Sequence, residues 1–236
     1  MASGNLSGNG ARLGTRFRGK LAAAFEQRGS TLASLWYAYS PKTKRDWVLT
    51  GDLAFDHFVS VESDSTIRSA DHAPQSKTIY DDGIEREIPV TSVVILQGGD
   101  AEWRLVRRSQ DLDRDDELMR QFAHDSKLLQ ASGIRYRLLT DSEIRASPQQ
   151  LANWRRIIAW MSAARDYTLV EYRKEVIGLL RKRRVLTLRE LEEFAGDAEF
   201  PLYAAAVFAE LQIGTVHADL MTAALNPATL FSLQEI

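Results

Sequence analysis

The run IRYRLLTDSEIRASPQQLANW at residues 134–154 constrains the fold more than any other, because its side-chain period changes midway. Ile134, Tyr136, Leu138 and Leu139 form a short β-prone stretch in which Arg135 and Arg137 alternate outward, as in a strand with one buried face. Thr140 and Asp141 then supply helix-capping chemistry, with Glu143 three residues after Thr140 to close a capping box. A helix containing Asn153 follows. Upstream, Leu118, Phe122, Leu128 and Leu129 have helical spacing within residues 113–130, and Gly133 is placed to stop that helix. The acids of residues 111–117 read as its negatively charged first turn.

Residues 77–106 have a β texture. Thr78-Ile79-Tyr80, the turn Asp81-Asp82-Gly83 and residues 84–88 fit a hairpin. Residues 90–96, the turn Gly98-Gly99-Asp100 and residues 103–106 fit a second pair of strands, and all four are expected in one sheet. Strand, helix, strand is a mixed α/β pattern, so the first domain should carry a central sheet with helices on its faces. Earlier, residues 52–61 suit a helix burying Leu53, Phe55 and Phe58, followed by a polar interval. Residues 21–25 and 32–39 suit short helical or extended pieces, and Ser40-Pro41-Lys42-Thr43-Lys44-Arg45 is a basic turn. Trp36, Tyr37 and Tyr39 before that turn suit either core packing or nucleic-acid contact. Arg12, Arg16, Arg18 and Lys20 make residues 1–20 either a disordered tail or a DNA-contacting arm.

The division expected is one domain over residues 1–165 and a second over 166–236. In the second, residues 169–180 form a helix whose end carries Arg181-Lys182-Arg183-Arg184, favourable at the negative pole of the helix dipole. Thr187 and Glu190 cap another helix with Leu188, Leu191 and Phe194 on a buried face, ended by Gly196. Residues 202–211 form a third helix and residues 213–220 a strand-like segment, which together match a winged helix-turn-helix. The third helix has no Arg or Lys to reach base edges, so the unit suits protein binding as well as DNA binding.

Composition narrows the chemistry. A net charge of −2 over 236 residues creates no global field for nucleic acid, so any such contact must come from local patches. There is no cysteine for a disulfide, thiolate or zinc cage. No apolar run approaches the roughly 18 residues of a membrane span, and the polar start is unlike a signal peptide, so a cytoplasmic protein is expected. His57, His72, His124 and His217 lack ligand spacing and read as surface or hydrogen-bonded residues, with no metal site. Walker, dinucleotide-binding and nucleophile-elbow motifs are absent.

The run Thr140-Asp141-Ser142-Glu143-Ile144-Arg145 resembles a signature of the TnsA family, the endonuclease subunit of heteromeric transposases, as does the Asn-containing helix after it. Ser40-Pro41-Lys42 resembles the family's element before its first catalytic helix, and residues 75–83 resemble its strand before an Asp-Gly turn. The resemblance implies a restriction-endonuclease-like mixed α/β domain followed by a winged helix. It also implies Mg²⁺-dependent nicking of DNA at transposon ends, beside a DDE-type transposase subunit and an AAA+ ATPase regulator. That chemistry needs a helix Glu, a Pro-Asp pair and a Glu-x-Lys, whose carboxylates hold the metal against the scissile phosphate. The aligned positions are instead Phe55, Thr91 with Ser92, and Val106 with Arg107 and Arg108.

The expected function is therefore an architectural DNA-binding subunit with an inactive nuclease centre and no cofactor. Lys42, Lys44, Arg45, Arg107 and Arg108 are its candidate DNA contacts, the last two being either a phosphate clamp or a solvated strand end. One alternative is an active nickase using Asp52 or Asp56 with Glu87 and Glu102, and Mg²⁺ as cofactor. In that set Arg104 stands where lysine is expected, and a permanently protonated arginine is a poor base. The other alternative is a regulator that binds a promoter through its winged helix.

Overall fold

The computed structural model describes residues 33–73, 76–81 and 84–234. The basic arm, the segment 21–25 and the tip of the Asp81-Asp82-Gly83 turn lie outside the described residues.

The chain opens with an antiparallel hairpin of β1 (Leu35–Ser40) and β2 (Arg45–Thr50), closed where Ser40 faces Arg45. Helix α1 (Asp52–Ser63) buries Phe58, Val59 and Val61, whereas Leu53 and Phe55 are only partly covered. Next come β3 (Ile67–Asp71), β4 (Ser76–Asp81), β5 (Ile84–Pro89), β6 (Ser92–Leu96) and β7 (Ala101–Arg107). After them α2 (Ser109–Leu112) and α3 (Asp116–Ala131) cross to β8 (Arg135–Thr140). The main sheet has the order β3-β6-β7-β8, with antiparallel pairing except between β7 and β8, which run parallel.

Two expectations fail here. Among the described residues the hairpin β4–β5 pairs only with itself and stays outside the main sheet. Its place at the edge goes to β3, from the stretch that reads as a polar interval. A register shift between Ile67 and Ser69 puts Ile67 and Ala70 on the buried side, so β3 lacks the alternation by which a strand is recognised.

Helix α3 starts at Asp115, whose carboxylate accepts from the Leu118 amide at 2.9 Å, and Gly133 (φ 73°) follows its end. It covers one face of the sheet, where Leu129 and Phe122 pack on Leu105 and Tyr136. Helix α1 covers the other, with Val61 on Val94 and Leu53 beside Val106. The Thr140 capping box is present and starts the short α4 (Asp141–Ile144), after which Pro148 opens α5 (Pro148–Ala163).

The remainder comprises α6 (Val170–Arg183), β9 (Val185–Thr187), α7 (Leu188–Gln212), β10 (Val216–His217) and β11 (Leu230–Leu233). The Thr187–Glu190 capping box opens α7, which breaks into two helices at Gly196, whose backbone (φ 69°, ψ 160°) is a conformation essentially restricted to glycine. Phe194 lies exposed instead of on the buried face. The strand expected over residues 213–220 shrinks to two residues, and a small antiparallel sheet forms in the order β10-β11-β9.

Among the described residues the fold is thus mixed α/β, with several small sheets and seven helices. The largest core joins Phe58 and Val59 of α1, Trp154 and Ile157 of α5, Leu180 of α6, Phe208 of α7 and Phe231 of β11, and so draws on both sides of residue 166. No described helix is long and apolar enough to cross a membrane.

Candidate nucleic-acid interface

The basic turn between β1 and β2 is held from below by Glu62, a fully buried carboxylate near the end of α1. It accepts from Ser40 Oγ at 2.6 Å, the Lys42 amide at 3.3 Å and Gln212 Nε2 of α7 at 2.8 Å. Burial pushes the Glu62 carboxyl up from its ordinary range, and these hydrogen bonds oppose that shift. Lys42 donates to the carbonyls of Asp64 (2.8 Å) and Ile67 (2.5 Å), tying the turn to the start of β3. Desolvation lowers its pKa. Lys44 takes a left-handed backbone (φ 52°), a conformation that costs an L-residue about 1 kcal/mol, and its side chain is exposed.

Beside this turn lies a groove of about 680 Å³, between the β1–β2 turn, the start of β3 and the α5–α6 junction. Lys42, Lys44, Arg68, Arg165 and Arg173 line it, and among the described residues no Asp or Glu does. Arg165 is paired with Asp46 at 3.2 Å and lies over the Tyr39 ring at 5.6 Å, and Arg173 is paired with Glu210 at 2.6 Å. Lys44 and Arg68 have no ion pair among the described residues. Tyr167, 62% exposed, adds an aromatic surface at the rim. Five cations, unpaired acids excluded and a ring available for stacking are the components of a polyanion-binding surface. Arg45 stands just outside it, exposed at the start of β2.

The four carboxylates proposed for an active centre are not gathered. Asp52 is exposed and accepts from Trp36 Nε1 at 3.0 Å, a bond that holds its carboxyl below the usual range. Asp56 is buried, with one oxygen taken by Arg145 at 2.7 Å and the other by Arg155. Glu87 belongs to the separate β4–β5 ribbon and accepts from Ser76 at 2.8 Å. Glu102 is buried against Arg104 at 2.7 Å and Arg135 at 3.7 Å. Among the described residues no group of three or more His, Asp or Glu is placed to hold a metal ion. This donor set does not fit Mg²⁺, which needs several oxygen ligands converging on one point.

What occupies the α1 face of the sheet instead is Ser92 opposite Arg104, with Val94 and Val106 on the same side. Arg107 alternates to the opposite face, its guanidinium returning to the Val106 carbonyl at 3.0 Å, and Arg108 is exposed beyond the strand. His57 and His72 are not surface residues: both are buried, with ring centroids 6.1 Å apart. Among the described residues their Nε2 atoms and Ser92 Oγ have no hydrogen-bond partner. Burial holds both imidazoles neutral, His72 down to about 4. His124 and His217 are exposed.

Neither a protein-family model nor a curated protein sequence matches the chain. Its groove therefore stands on geometry. Arg68, Arg165, Arg173 and Tyr167 escape sequence reasoning because they come from segments far apart in the chain, each locally unremarkable. The third helix of the C-terminal unit is enclosed: Tyr203 through Phe208 are all buried, as expected for a helix apolar on every side. The loop between β10 and β11 is held by Asn153, which donates to the carbonyls of Leu220 (2.9 Å) and Ala223 (2.7 Å) and accepts from the Leu225 amide at 2.8 Å.

Proposed function

We propose that this protein is a DNA-binding architectural subunit with a restriction-endonuclease-like core that does not cut. The observation that carries the reading is the groove lined by five cations and, among the described residues, no acid. The core supports it: a helix, three antiparallel strands, a crossing helix and a parallel fourth strand are the order expected of that fold. The C-terminal order of helix, strand, two helices and two strands supports a winged helix. Burial of its third helix and capture of its β10–β11 loop favour a protein-packing role over base reading. They weigh against a promoter-binding regulator. The carboxylates needed by a nickase are each engaged by other groups, two of them by arginines. A transposase and an ATPase regulator as partners rest on the resemblance of Ser40-Pro41-Lys42 and residues 140–145 to TnsA.

The test is duplex binding measured by fluorescence anisotropy between 50 and 200 mM salt. Each phosphate contact contributes about 0.9 to the slope of log affinity against log salt, so five cations give at most about 4.5, and Lys44 with Arg68 alone about 2. The expected slope lies between these limits, and Lys44→Glu with Arg68→Glu should lower it by about 2. An unchanged slope in the double variant refutes the groove. Metal-dependent nicking of supercoiled DNA abolished by Glu102→Ala would favour the active enzyme instead.

A further inference from the structure

A second opening, of about 460 Å³, lies on the α1 face of the main sheet, between the end of α1 and the α4–α5 junction. Arg104 and Arg137 line it, in direct register across the parallel strands β7 and β8. Like charges so placed repel each other and are stabilised by an anion between them. The protein supplies only part of that compensation. Arg104, whose side chain is 8% exposed, donates from Nε to Glu102, and that is the single hydrogen bond its guanidinium makes among the described residues. Glu102 is also shared with Arg135. Arg137 has Glu143 at 3.9 Å, beyond hydrogen-bond range, and the other Glu143 oxygen is committed to the Thr140 amide and hydroxyl of the capping box. Asp64 also lines the opening, but its carboxylate accepts from the Thr66 amide and hydroxyl.

Glu143 lines the opening as well, and the rest of the wall mixes apolar side chains, Leu139, Ile144, Leu151 and Met221 among them, with small polar ones. Ser60, Ser63, Ser147 and Gln150 line it. The two α1 hydroxyls donate back to helix carbonyls at 2.7 and 2.8 Å, and Ser147 reaches the Met221 carbonyl at 3.3 Å. Each can turn to an anion by rotation about one bond. The Gln150 amide has no partner among the described residues. Planar guanidinium groups match tetrahedral oxyanions with paired hydrogen bonds, and arginine is the side chain best suited to that geometry. The volume exceeds that of a bare phosphate and falls within the range of small-molecule sites.

We propose that this opening binds a phosphomonoester, with Arg104 and Arg137 on the phosphoryl oxygens and the serine-lined space taking the attached sugar. A free nucleotide and the end of a nucleic-acid strand present the same chemistry. The site shares no lining residue with the cationic groove, so it does not depend on that groove binding DNA.

Calorimetry of the full chain with inorganic phosphate, adenosine 5′-monophosphate and adenosine tests it. Saturable binding of the first two and none of adenosine is expected. Arg137→Ala, at a half-exposed position, should keep the parent's thermal melting and weaken the monophosphate about ten- to a hundredfold. Lys44→Glu with Arg68→Glu should leave it unchanged. An oligonucleotide carrying a 5′-phosphate, compared with its 5′-hydroxyl form, identifies the source: preference for it over the mononucleotide supports a strand end, and the reverse supports a free nucleotide. Absent phosphate binding, equal binding by Arg137→Ala, or loss of binding in the groove variant overturns the site. DNA binding that persists through the first two results leaves the groove intact.

Discussion

His72 should make this protein acid-sensitive in an interval where exposed histidines have little effect. It sits against Trp47 and Phe58, with ring centroids 5.4 and 5.1 Å away, and its Nε2 has no partner among the described residues. Burial lowers its pKa from 6.5 to about 4; Asp71 opposes that shift and Arg104 adds to it. The unfolded chain therefore takes up a proton near pH 6.5, while the folded one stays neutral until about pH 4. Stability is complete above pH 6.5 and falls as the pH drops toward 4. The displacement corresponds to about 3 kcal/mol, lost at about 1.4 kcal/mol per pH unit within the window. His57, also held well below 6.5 by burial, His72 and Arg104, steepens the fall toward two protons. Urea denaturation at intervals from pH 7.5 to 5 reads the slope, and comparison with a His72 variant cancels the contribution of carboxyls that burial raises, such as Glu62. His72→Phe keeps the ring contacts and removes one titrating group, so its slope should be lower by about 1.4 kcal/mol per pH unit. An identical slope in His72→Phe and the parent would refute a neutral, buried imidazole.

Two further perturbations test the packing of the site. Asn153→Ala strands the carbonyl of buried Leu220 and the amide of buried Leu225, releases the carbonyl of exposed Ala223 to water, and should lower stability by about 1–3 kcal/mol in urea melts. Faster amide exchange over residues 220–225 should accompany it. Asp56→Asn leaves Arg145 and Arg155 without their shared carboxylate; because both arginines are 45% exposed, the loss measured by thermal melting should be only about 1–2 kcal/mol.

Local chemistry made several elements legible. The capping boxes at Thr140 and Thr187 and the glycines at 133 and 196 mark boundaries through hydrogen bonds and backbone angles that involve only neighbouring residues. The alternation in residues 134–140 and the turn at Gly98-Gly99 show their strands for the same reason. β3 was hidden because its bulge destroys the period, and β9 because three residues carry no period at all. The wrong placement of β4–β5 is a different kind of miss, since a hairpin's internal pairing does not say which sheet it joins.

For the candidate sites the division is sharper. Sequence alone established that a basic turn ends at Arg45, and the resemblance to TnsA implies Phe55, Thr91 with Ser92, and Val106 to Arg108 where that family carries its motif. Only the tertiary structure decided that Asp56 and Glu102 are consumed by arginines, that Arg68, Arg165 and Arg173 converge on Lys44, and that Arg104 meets Arg137. The reason is distance along the chain: caps and turns form among neighbours, whereas charge pairing and groove shape depend on packing between segments far apart in the chain, such as Asp46 with Arg165, 119 residues apart, and Glu62 with Gln212, 150 residues apart.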